Sequence, residues 1–148
     1  MSLQKLVMEQ IKAAMKSKDK VALESLRALK SAFLLANTSG SGVELSEEEE
    51  IKIVQKLVKQ RKDSAAIFDE QGRSDLSELE KAQAKILEQF LPVQMSEDEL
   101  KAVIAEIVSK TGASSMKDMG KVMGMASKEL AGKADGKAIS GVVKEMLT

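Results

Sequence analysis

The amino-acid sequence predicts an all-α protein of two helical subdomains, with about four helices followed by three. Three observations lead to this prediction. Apolar residues recur at the three- and four-residue spacing of amphipathic helices through most of the chain. Charged residues make up 31% of the sequence, which contains nine Met and three Phe but no Trp or Tyr, a composition that favours helices over an aromatic-rich β-sandwich. The chain also has a single proline, so little interrupts a helix.

The first two predicted helices are separated by a short break before Asp19. Ser2 is a candidate N-cap of the first helix, over residues 3–16, and Asp19 is a candidate N-cap of the second, which ends near Asn37. In each helix the apolar residues share one side of the helical wheel, so both are expected to pack on a core. These residues are Leu3, Leu6, Val7, Ile11, Ala14 and Met15, and then Ala22, Leu26, Leu29 and Phe33.

A flexible loop and a capping box precede the third predicted helix. Residues 38–42 (TSGSG) are typical of a turn, and Ser46 with Glu49 matches the capping-box pattern. In the helix that follows, Arg61 stands in a stripe of apolar residues. Because an unpaired buried charge is costly, we expect Arg61 to be a structural residue whose guanidinium is held by a carboxylate or by carbonyls. The apolar members of the stripe are Ile51, Val54, Val58, Ala65 and Phe68.

Pro92 marks the predicted boundary between the subdomains. Gly72 ends the third helix, and a fourth helix then runs toward Leu91. Because the residue before a proline avoids helical geometry, Pro92 is a structural residue that separates subdomains 1–92 and 93–148. The candidate caps of the fourth helix are Asp75 with Glu78 or Ser77 with Glu80, and its apolar stripe is Leu79, Ala82, Ile86 and Phe90.

Three helices are predicted after Pro92, each opened by a capping side chain. The helices open at Ser96 with Glu99, at Ser115 with Asp118 and at Asp135, and they end at Gly112, near Ala131 and near Leu147. Their apolar sides carry Leu100, Val103, Ile104, Ile107 and Val108, then Met119, Val122, Met123, Ala126 and Leu130, then Ile139, Val142, Val143 and Met146.

The last two predicted helices place glycine between lysines on the side opposite their apolar residues. Glycine inside a helix costs about 0.5–1 kcal/mol relative to alanine, so core packing does not account for this pattern. The pattern fits a surface that a phosphate backbone or an acidic protein approaches closely, and equally a helix-on-helix contact through small residues. The candidate RNA- or partner-binding residues are Lys117, Gly120, Lys121, Gly124, Lys128, Lys133, Gly136, Lys137, Gly141 and Lys144.

Composition narrows the chemistry that the chain can carry out. The 23 basic and 23 acidic residues cancel, although residues 109–148 hold seven Lys against four acids. The absence of Cys and His excludes thiolate or imidazole metal sites and catalytic triads. Residues Glu47–Glu50 fit a helix start rather than a metal site, and the glycine spacing matches no nucleotide-binding loop. We therefore predict no catalytic residue, cofactor or metal.

No segment approaches the roughly 18 consecutive apolar residues of a membrane-spanning helix. The N-terminal residues 1–11 interleave Gln, Lys and Glu with apolar residues, unlike a signal peptide. A cytoplasmic location and no membrane partner are therefore expected.

Five segments together resemble the YqeY family, which shares its C-terminal region with the tail of GatB, a subunit of the tRNA-dependent amidotransferase. The resemblance covers essentially the whole chain and is strongest over residues 56–100 and 114–147. It implies two all-helical subdomains, the second like the GatB tail. It also makes four lysines candidate RNA contacts, to which the helical wheel adds Lys128 and Lys144. The segments are KQRKDS at 59–64, GRSDL at 72–76, FLPVQ at 90–94, KDMGKVMG at 117–124 and GKADGK at 132–137, and the four lysines are Lys117, Lys121, Lys133 and Lys137.

The resemblance implies a non-catalytic tRNA-binding or tRNA-enzyme accessory module. A protein–protein adaptor that uses the same lysine and glycine face is the alternative. A carbon–nitrogen ligase with glutamine as amido-N-donor is a remote alternative, because the GatB catalytic cradle lies outside the shared region and nothing here resembles a glutaminase or kinase centre. Since the chain has no Trp or Tyr on which bases could stack, folded RNA recognised by shape and phosphates is the expected ligand.

Overall fold

Helices make up the regular secondary structure throughout the described part of the chain. The structure, a computed structural model, describes residues 3–39 and 44–148. Over these ranges it contains seven α-helices, one 3-10 turn and no strand, which confirms the all-α prediction. The candidate cap Ser2 and the Gly40, Ser41 and Gly42 part of the predicted loop lie outside the described residues.

By its internal contacts the chain divides into two compact units, Met1–Leu91 and Pro92–Thr148. The described part of the first unit holds α1 (Leu3–Ser17), α2 (Lys20–Ser39), α3 (Glu47–Glu70) and α4 (Ser74–Glu88). Here α1 packs on α2, α2 packs on α3 and α4, and α3 packs along α4. The buried apolar core of this unit is Val7, Ile11, Ala14, Leu26, Leu29, Phe33, Val54, Val58, Leu87 and Phe90.

Two of the predicted helix starts in the first unit are confirmed by their hydrogen bonds. The Asp19 side chain accepts a hydrogen bond of 3.1 Å from the Ala22 backbone N–H at the start of α2. At the start of α3, Ser46 Oγ accepts from the Glu49 N–H at 3.2 Å, and the Ser46 N–H donates to Glu49 Oε2 at 2.8 Å. Both halves of the capping box are therefore present.

The start of α4 differs from the prediction. Neither Asp75 nor Ser77 caps the helix, which begins at Ser74 after Arg73 without a side-chain cap. Asp75 instead accepts two hydrogen bonds from the Arg73 guanidinium, at 3.2 and 3.1 Å, and Ser77 is fully buried. The Asp75 carboxylate therefore pairs with Arg73, the residue just before α4, instead of capping the helix.

The buried side of α4 agrees only in part with the predicted one: Ile86 and Phe90 pack in the core as predicted, but Leu79 and Ala82 do not. Leu79 is 39% exposed and Ala82 is exposed, whereas Ala84 and Leu87 are buried. Packing against the other helices buries the side of α4 that carries Ser77, Ala84 and Leu87. The apolar pattern alone does not predict that the small polar residue Ser77 is buried.

The second unit holds α5 (Glu97–Thr111), a 3-10 turn (Met116–Asp118), α6 (Met119–Glu129) and α7 (Gly136–Leu147). Each of the three α-helices packs on the other two. The core is Leu100, Ile104, Ile107, Val122, Ala126, Leu130, Ile139, Val142, Val143 and Leu147.

The helix ends of the second unit follow the sequence closely. Ser96 Oγ accepts from the Glu99 N–H at 3.2 Å, and α5 ends at Gly112 with the left-handed φ of +68° that glycine accommodates. Asp135 accepts from the Ala138 N–H at 2.7 Å at the start of α7. Ser115 differs from the prediction because it opens the 3-10 turn, so that α6 itself begins at Met119.

The two predicted structural residues have different surroundings. The Pro92 carbonyl accepts a hydrogen bond of 2.8 Å from Gln94 Nε2 where the second unit begins. Arg61 is half-buried, and its Nε is buried without a hydrogen-bond partner. Among the described residues no carboxylate or carbonyl holds the Arg61 guanidinium in the way that was expected.

Candidate functional site

Lysine and glycine residues lie on the exposed side of α6 because the opposite, apolar side of the helix is buried. Val122, Ala126 and Leu130 are at most 1% exposed and turn that side of the helix into the core of the second unit. The side away from the core is solvent-facing along its whole length. It carries Lys117 just before the helix and then Gly120, Lys121, Gly124 and Lys128, all exposed.

The lysine face of α7 arises in the same way. The Asp135 cap fixes where the helix begins, and Ile139, Val142 and Val143 are buried against the core. The other five predicted residues are all exposed and lie on α7 or just before it. They are Lys133, Gly136, Lys137, Gly141 and Lys144. The two helices thus repeat one arrangement, with a buried aliphatic side and an exposed side of lysine and glycine.

The exposed glycines have open space where a side chain would project. A Cβ placed on Gly120, Gly124, Gly136 or Gly141 would meet no atom within 4 Å outside the helix itself. The sequence left open whether these glycines pack against another helix of the chain. Among the described residues no such packing partner is close enough to require them.

The six candidate lysines differ in their ion pairing from the two other lysines of the second unit, Lys101 and Lys110. Lys101 lies 3.4 Å from Glu97 and 4.0 Å from Glu145, and Lys110 lies 3.1 Å from Glu106. The candidate lysines form no ion pair with any described residue. They are Lys117, Lys121, Lys128, Lys133, Lys137 and Lys144.

Three of the four acids in residues 109–148 are engaged elsewhere, and the fourth, Glu129, is exposed on α6. Asp118 accepts a hydrogen bond of 3.0 Å from the Ser114 N–H, Asp135 caps α7, and Glu145 is directed toward Lys101. The positive charge of Lys117, Lys121 and Lys128 on the exposed side of α6 is therefore largely free to act on an external anion.

A cleft brings some of the candidate residues together. It has a volume of about 530 Å³ and lies between the start of α5 and α7. Lys133, Lys137 and Gly141 line it, together with the acids Glu97, Asp135 and Glu145, which balance the lysine charge. The α6 residues and Lys144 do not line it, so the structure separates the predicted residues into a cleft set and an α6 set.

Two backbone contacts shape the cleft. Gln94 Nε2 donates to the Gly132 carbonyl at 2.7 Å, and the Met95 N–H donates to the Lys133 carbonyl at 3.0 Å. Gly132 itself has a φ of +79° and is buried. These contacts tie the connection between α6 and α7 to the chain that enters α5, and so fix the position of Lys133.

The acidic start of α3 contains one residue whose environment the sequence did not reveal. The sequence predicts that Glu50 belongs with Glu47, Glu48 and Glu49 to the start of a capped helix, but Glu50 is 4% exposed and its Oε2 has no hydrogen-bond partner among the described residues. Burial raises the pKa of Glu50, and hydrogen bonds from Gln4 oppose that rise. The signal was present, because Glu50 precedes the buried Val54 and Val58 by four and eight residues. Among the described residues no three acidic side chains converge as they would in a metal site.

Sequence reasoning also missed a denser group of positive charges. Residues 12–30 hold six lysine or arginine residues against two acids, a larger local excess than that of residues 109–148. A count of charge in short windows along the whole chain would have found this segment, which forms the turn between α1 and α2 and the exposed sides of both helices.

Comparison with known proteins gives a consistent result over nearly the full length. The family described as Yqey-like protein matches residues 4–147. The chain is 32% identical over 106 residues, 70% of its length, to "Altered inheritance of mitochondria protein 41, mitochondrial" of Clavispora lusitaniae, and covers 61% of that protein. It is 30% identical over 139 residues, 92% of its length, to the protein of the same name in Kluyveromyces lactis, and covers 71% of it.

A third yeast relative and one fission-yeast relative agree with these matches. The chain is 32% identical to the Meyerozyma guilliermondii protein of the same name over 78% of its length, and covers 61% of that relative. It is 30% identical to an uncharacterized protein of Schizosaccharomyces pombe, with 64% of this chain and 76% of that protein covered. The chain thus spans about three fifths of the length of the Clavispora and Meyerozyma relatives. In the described ranges no helix is both long and apolar enough to cross a membrane.

Proposed function

This chain belongs to the YqeY-like protein family, and from that premise we propose that it is a non-catalytic accessory protein that binds folded RNA, with tRNA as the expected ligand. The observation that carries the proposal is the set of six exposed lysines without ion-pair partners in the described chain, beside glycines that have open space around them. Phosphate contacts supply most of the sequence-independent affinity of proteins for nucleic acids, and lysine makes such contacts.

The glycines support close approach of a sugar–phosphate backbone. At Gly124 a helix exposes its own backbone between Lys121 and Lys128, each about one turn away. A phosphate can there come nearer to the helix than a side chain would allow, which shortens its distance to the neighbouring ammonium groups. The shorter distance strengthens the Coulomb attraction.

Titration of labelled tRNA at low and moderate salt tests the proposal. We expect micromolar-range, strongly salt-dependent binding, with a log–log slope of about −4 to −5 if four to six lysines meet phosphates. The double variant Lys121→Gln with Lys128→Gln should weaken binding at low salt about tenfold and reduce the slope by about two. The matched control is Lys101→Gln with Lys110→Gln, which removes the same charge from lysines already paired with acids.

Two outcomes would contradict the RNA proposal. One is the absence of binding at low salt by the folded chain. The other is an equal loss in the Lys121 and Lys128 variant and in the control, which would mean that net charge rather than this surface drives association. We further propose that the chain has no amidotransferase activity, and glutamine- and ATP-dependent amide formation by the purified chain would overturn that part.

The cleft beside α7 favours a second candidate function, a protein–protein adaptor. Glu97 and Glu145 line the cleft with Lys133 and Lys137, and carboxylates at that position would repel a phosphate. A surface with both signs of charge suits another protein better. A partner that stays bound to the chain after nuclease treatment, and is released by Lys137→Glu, would support the adaptor function.

A further inference from the structure

The first unit has a cationic surface of its own on the α1–α2 pair. None of the six cations of this surface forms an ion pair with a described residue. The two acids of the segment are engaged otherwise: Asp19 caps α2, and Glu24 accepts a hydrogen bond of 3.2 Å from Gln83. The six cations are Lys12, Lys16, Lys18, Lys20, Arg27 and Lys30, and all are exposed.

Two clefts follow this surface along the contact between α1 and α2. The larger, about 330 Å³, is next to the turn and is lined by Ala14, Met15, Lys18, Lys20, Leu23 and Arg27. The smaller, about 120 Å³, is near the other end of the pair and is lined by Gln4, Val7, Met8, Lys30, Phe33, Leu34 and Asn37. We call them together the α1–α2 groove. Among the described residues, no acid lines either cleft.

Apolar side chains of the groove are exposed among its cations. Met8, Met15 and Leu34 are 38%, 56% and 61% exposed. Met8 and Met15 are seven residues apart and therefore share one face of α1. On α2, positions at intervals of three and four residues form one stripe that contains three cations and two leucines. The stripe runs Lys20, Leu23, Arg27, Lys30 and Leu34.

The turn of the groove holds a lysine in an unfavourable backbone conformation. Lys18 has a φ of +58°, where glycine or asparagine is favoured, and it ends α1 through a hydrogen bond of 3.0 Å from the Asp19 N–H to the Ala14 carbonyl. The fold would be served better by glycine at this position. A cation there is consistent with a role for the side chain outside the fold.

We propose that the α1–α2 groove docks the protein reversibly on an anionic lipid bilayer surface. Lysine and arginine would meet the phosphate and carboxylate groups of the lipid heads, while Met8, Met15 and Leu34 enter the boundary with the acyl chains. A helical face with basic groups and exposed aliphatic side chains is typical of such interfacial binding. The proposal departs from the sequence-based expectation of no membrane partner and concerns docking on the surface, not crossing.

The arrangement of the groove favours a bilayer over two other anionic partners. Protein interfaces concentrate apolar residues in a centre from which charged residues, and lysine above all, are depleted. Here the cations lie between the apolar groups. A folded RNA would use the cations but would leave the exposed Met and Leu side chains without a function, since RNA modules that stack bases do so on aromatic or arginine planes.

Sedimentation of the full chain with lipid vesicles tests this inference. The probes are vesicles of phosphatidylcholine alone and of phosphatidylcholine with about 30% phosphatidylserine, at low and high salt. We expect binding to the anionic vesicles only, with a fall of at least about tenfold at high salt. The charge variant Lys20→Ser with Arg27→Ser and the apolar variant Met15→Ser with Leu34→Ser should each weaken binding about fivefold or more.

Matched controls are available on α3 of the same unit. Lys56→Ser with Lys59→Ser removes two exposed cations that have no ion pair with a described residue, and Ile67→Ser removes an apolar side chain that is 53% exposed. Both should leave vesicle binding within about twofold of the parent chain. Because every substituted residue is exposed, helix content by circular dichroism should be unchanged and would verify that each variant is folded.

Three results would overturn the proposal. The first is no binding of the folded chain to anionic vesicles at low salt. The second is an equal loss of binding in the groove variants and in the α3 controls. The third is a loss of tRNA affinity, without any vesicle binding, in the Lys20 and Arg27 variant, which would assign the groove to RNA instead.

Discussion

The two cationic surfaces of this protein differ in what lies between their charges. On α6 and α7 the spaces between lysines are filled by glycine, with no atom within 4 Å of the missing side chain. On α1 and α2 they are filled by Met and Leu side chains that remain exposed. Charge alone would make the surfaces equivalent. The residues between the charges suit one surface to a bare phosphate backbone and the other to an anion attached to an apolar phase.

Each surface also departs from local stability in its own way. Gly124 occupies the middle of a helix, where alanine is more stable, and Lys18 occupies a left-handed position, where glycine is more stable. Both departures lie on exposed surfaces at which the fold requires neither residue. A residue that is less stable in its backbone conformation than an alternative residue would be therefore marks each surface more clearly than net charge does.

The largest expected effect is a double dissociation between the surfaces. Removal of two charges from α6, by Lys121→Gln with Lys128→Gln, should lower tRNA affinity about tenfold and change binding to anionic vesicles less than twofold. Removal of two charges from the groove, by Lys20→Gln with Arg27→Gln, should do the reverse. Parallel titrations of the same preparations with tRNA and with vesicles would measure both. If both variants lost both activities equally, the distinction between the surfaces would be wrong.

The cores of the two units also differ in polarity. The buried polar and charged side chains among the described residues all lie in the first unit. There Glu50 has a pKa raised by burial, so the folded chain binds its proton more tightly than the unfolded chain does. The contribution of Glu50 to stability therefore falls as the pH rises from its ordinary pKa through the raised one. Glu50→Gln should raise the free energy of unfolding at pH 7 by about 1 kcal/mol and should flatten its dependence on pH between mildly acidic and neutral conditions. Denaturant unfolding at several pH values would measure this. A loss of stability at pH 7 would show instead that the hydrogen bonds from Gln4 outweigh the cost of burying the carboxylate.

Alanine at the exposed glycines would sharpen the contrast further. Gly124→Ala and Gly141→Ala should each raise the free energy of unfolding by about 0.5–1 kcal/mol, because alanine favours the helix and its Cβ meets open space. Gly124→Ala should also weaken tRNA binding, whereas Gly141→Ala should not, because Gly141 lines the cleft that also holds Glu97 and Glu145. Thermal unfolding and tRNA titration of the same variants would test both effects. A lower melting temperature would indicate that the glycines pack against another part of the chain after all.

The smallest expected effect concerns the turn of the groove. Lys18→Gly should raise the free energy of unfolding by roughly 0.5 kcal/mol, because glycine adopts a positive φ without the steric cost of a Cβ. It should also weaken vesicle binding by the loss of one charge. Lys18→Gln is the matched control, since it removes the charge and keeps the Cβ. Unfolding and vesicle sedimentation would separate the two effects, and equal stability of the two variants would show that the backbone at this position is not strained.

Prediction from the sequence succeeded where the signal was local. The Ser46 box, the Asp19 and Asp135 caps and the Gly112 end depend on atoms within a few residues of one another, so their spacing was sufficient. It failed at α4, where the buried side includes Ser77 and leaves Leu79 partly exposed. That choice depends on contacts with α2 and α3, which periodicity along α4 does not contain.

The candidate site was predicted in part for the same reason. Because the buried side of α6 is strongly apolar, the exposure of Lys121 and Lys128 followed from the helical wheel. The ion-pairing states and the open space at Gly141 did not follow, because both depend on side chains distant in sequence. The α1–α2 groove was missed because its cations belong to two helices and become one surface only when those helices pack.

Three properties follow from the amino-acid sequence alone: that this protein is all-helical, where most of its helices begin, and which sides of α6 and α7 face water. Those properties arise from backbone hydrogen bonding, capping and apolar periodicity, all of which act over short stretches of chain. The packing of the helices is what buries Glu50 and leaves Arg61 Nε without a partner among the described residues. Packing also brings Lys133 and Lys137 into one cleft and Met15 and Arg27 into another. Each of these depends on which groups other helices bring within a few ångströms, and burial and electrostatic interaction are set by those neighbours.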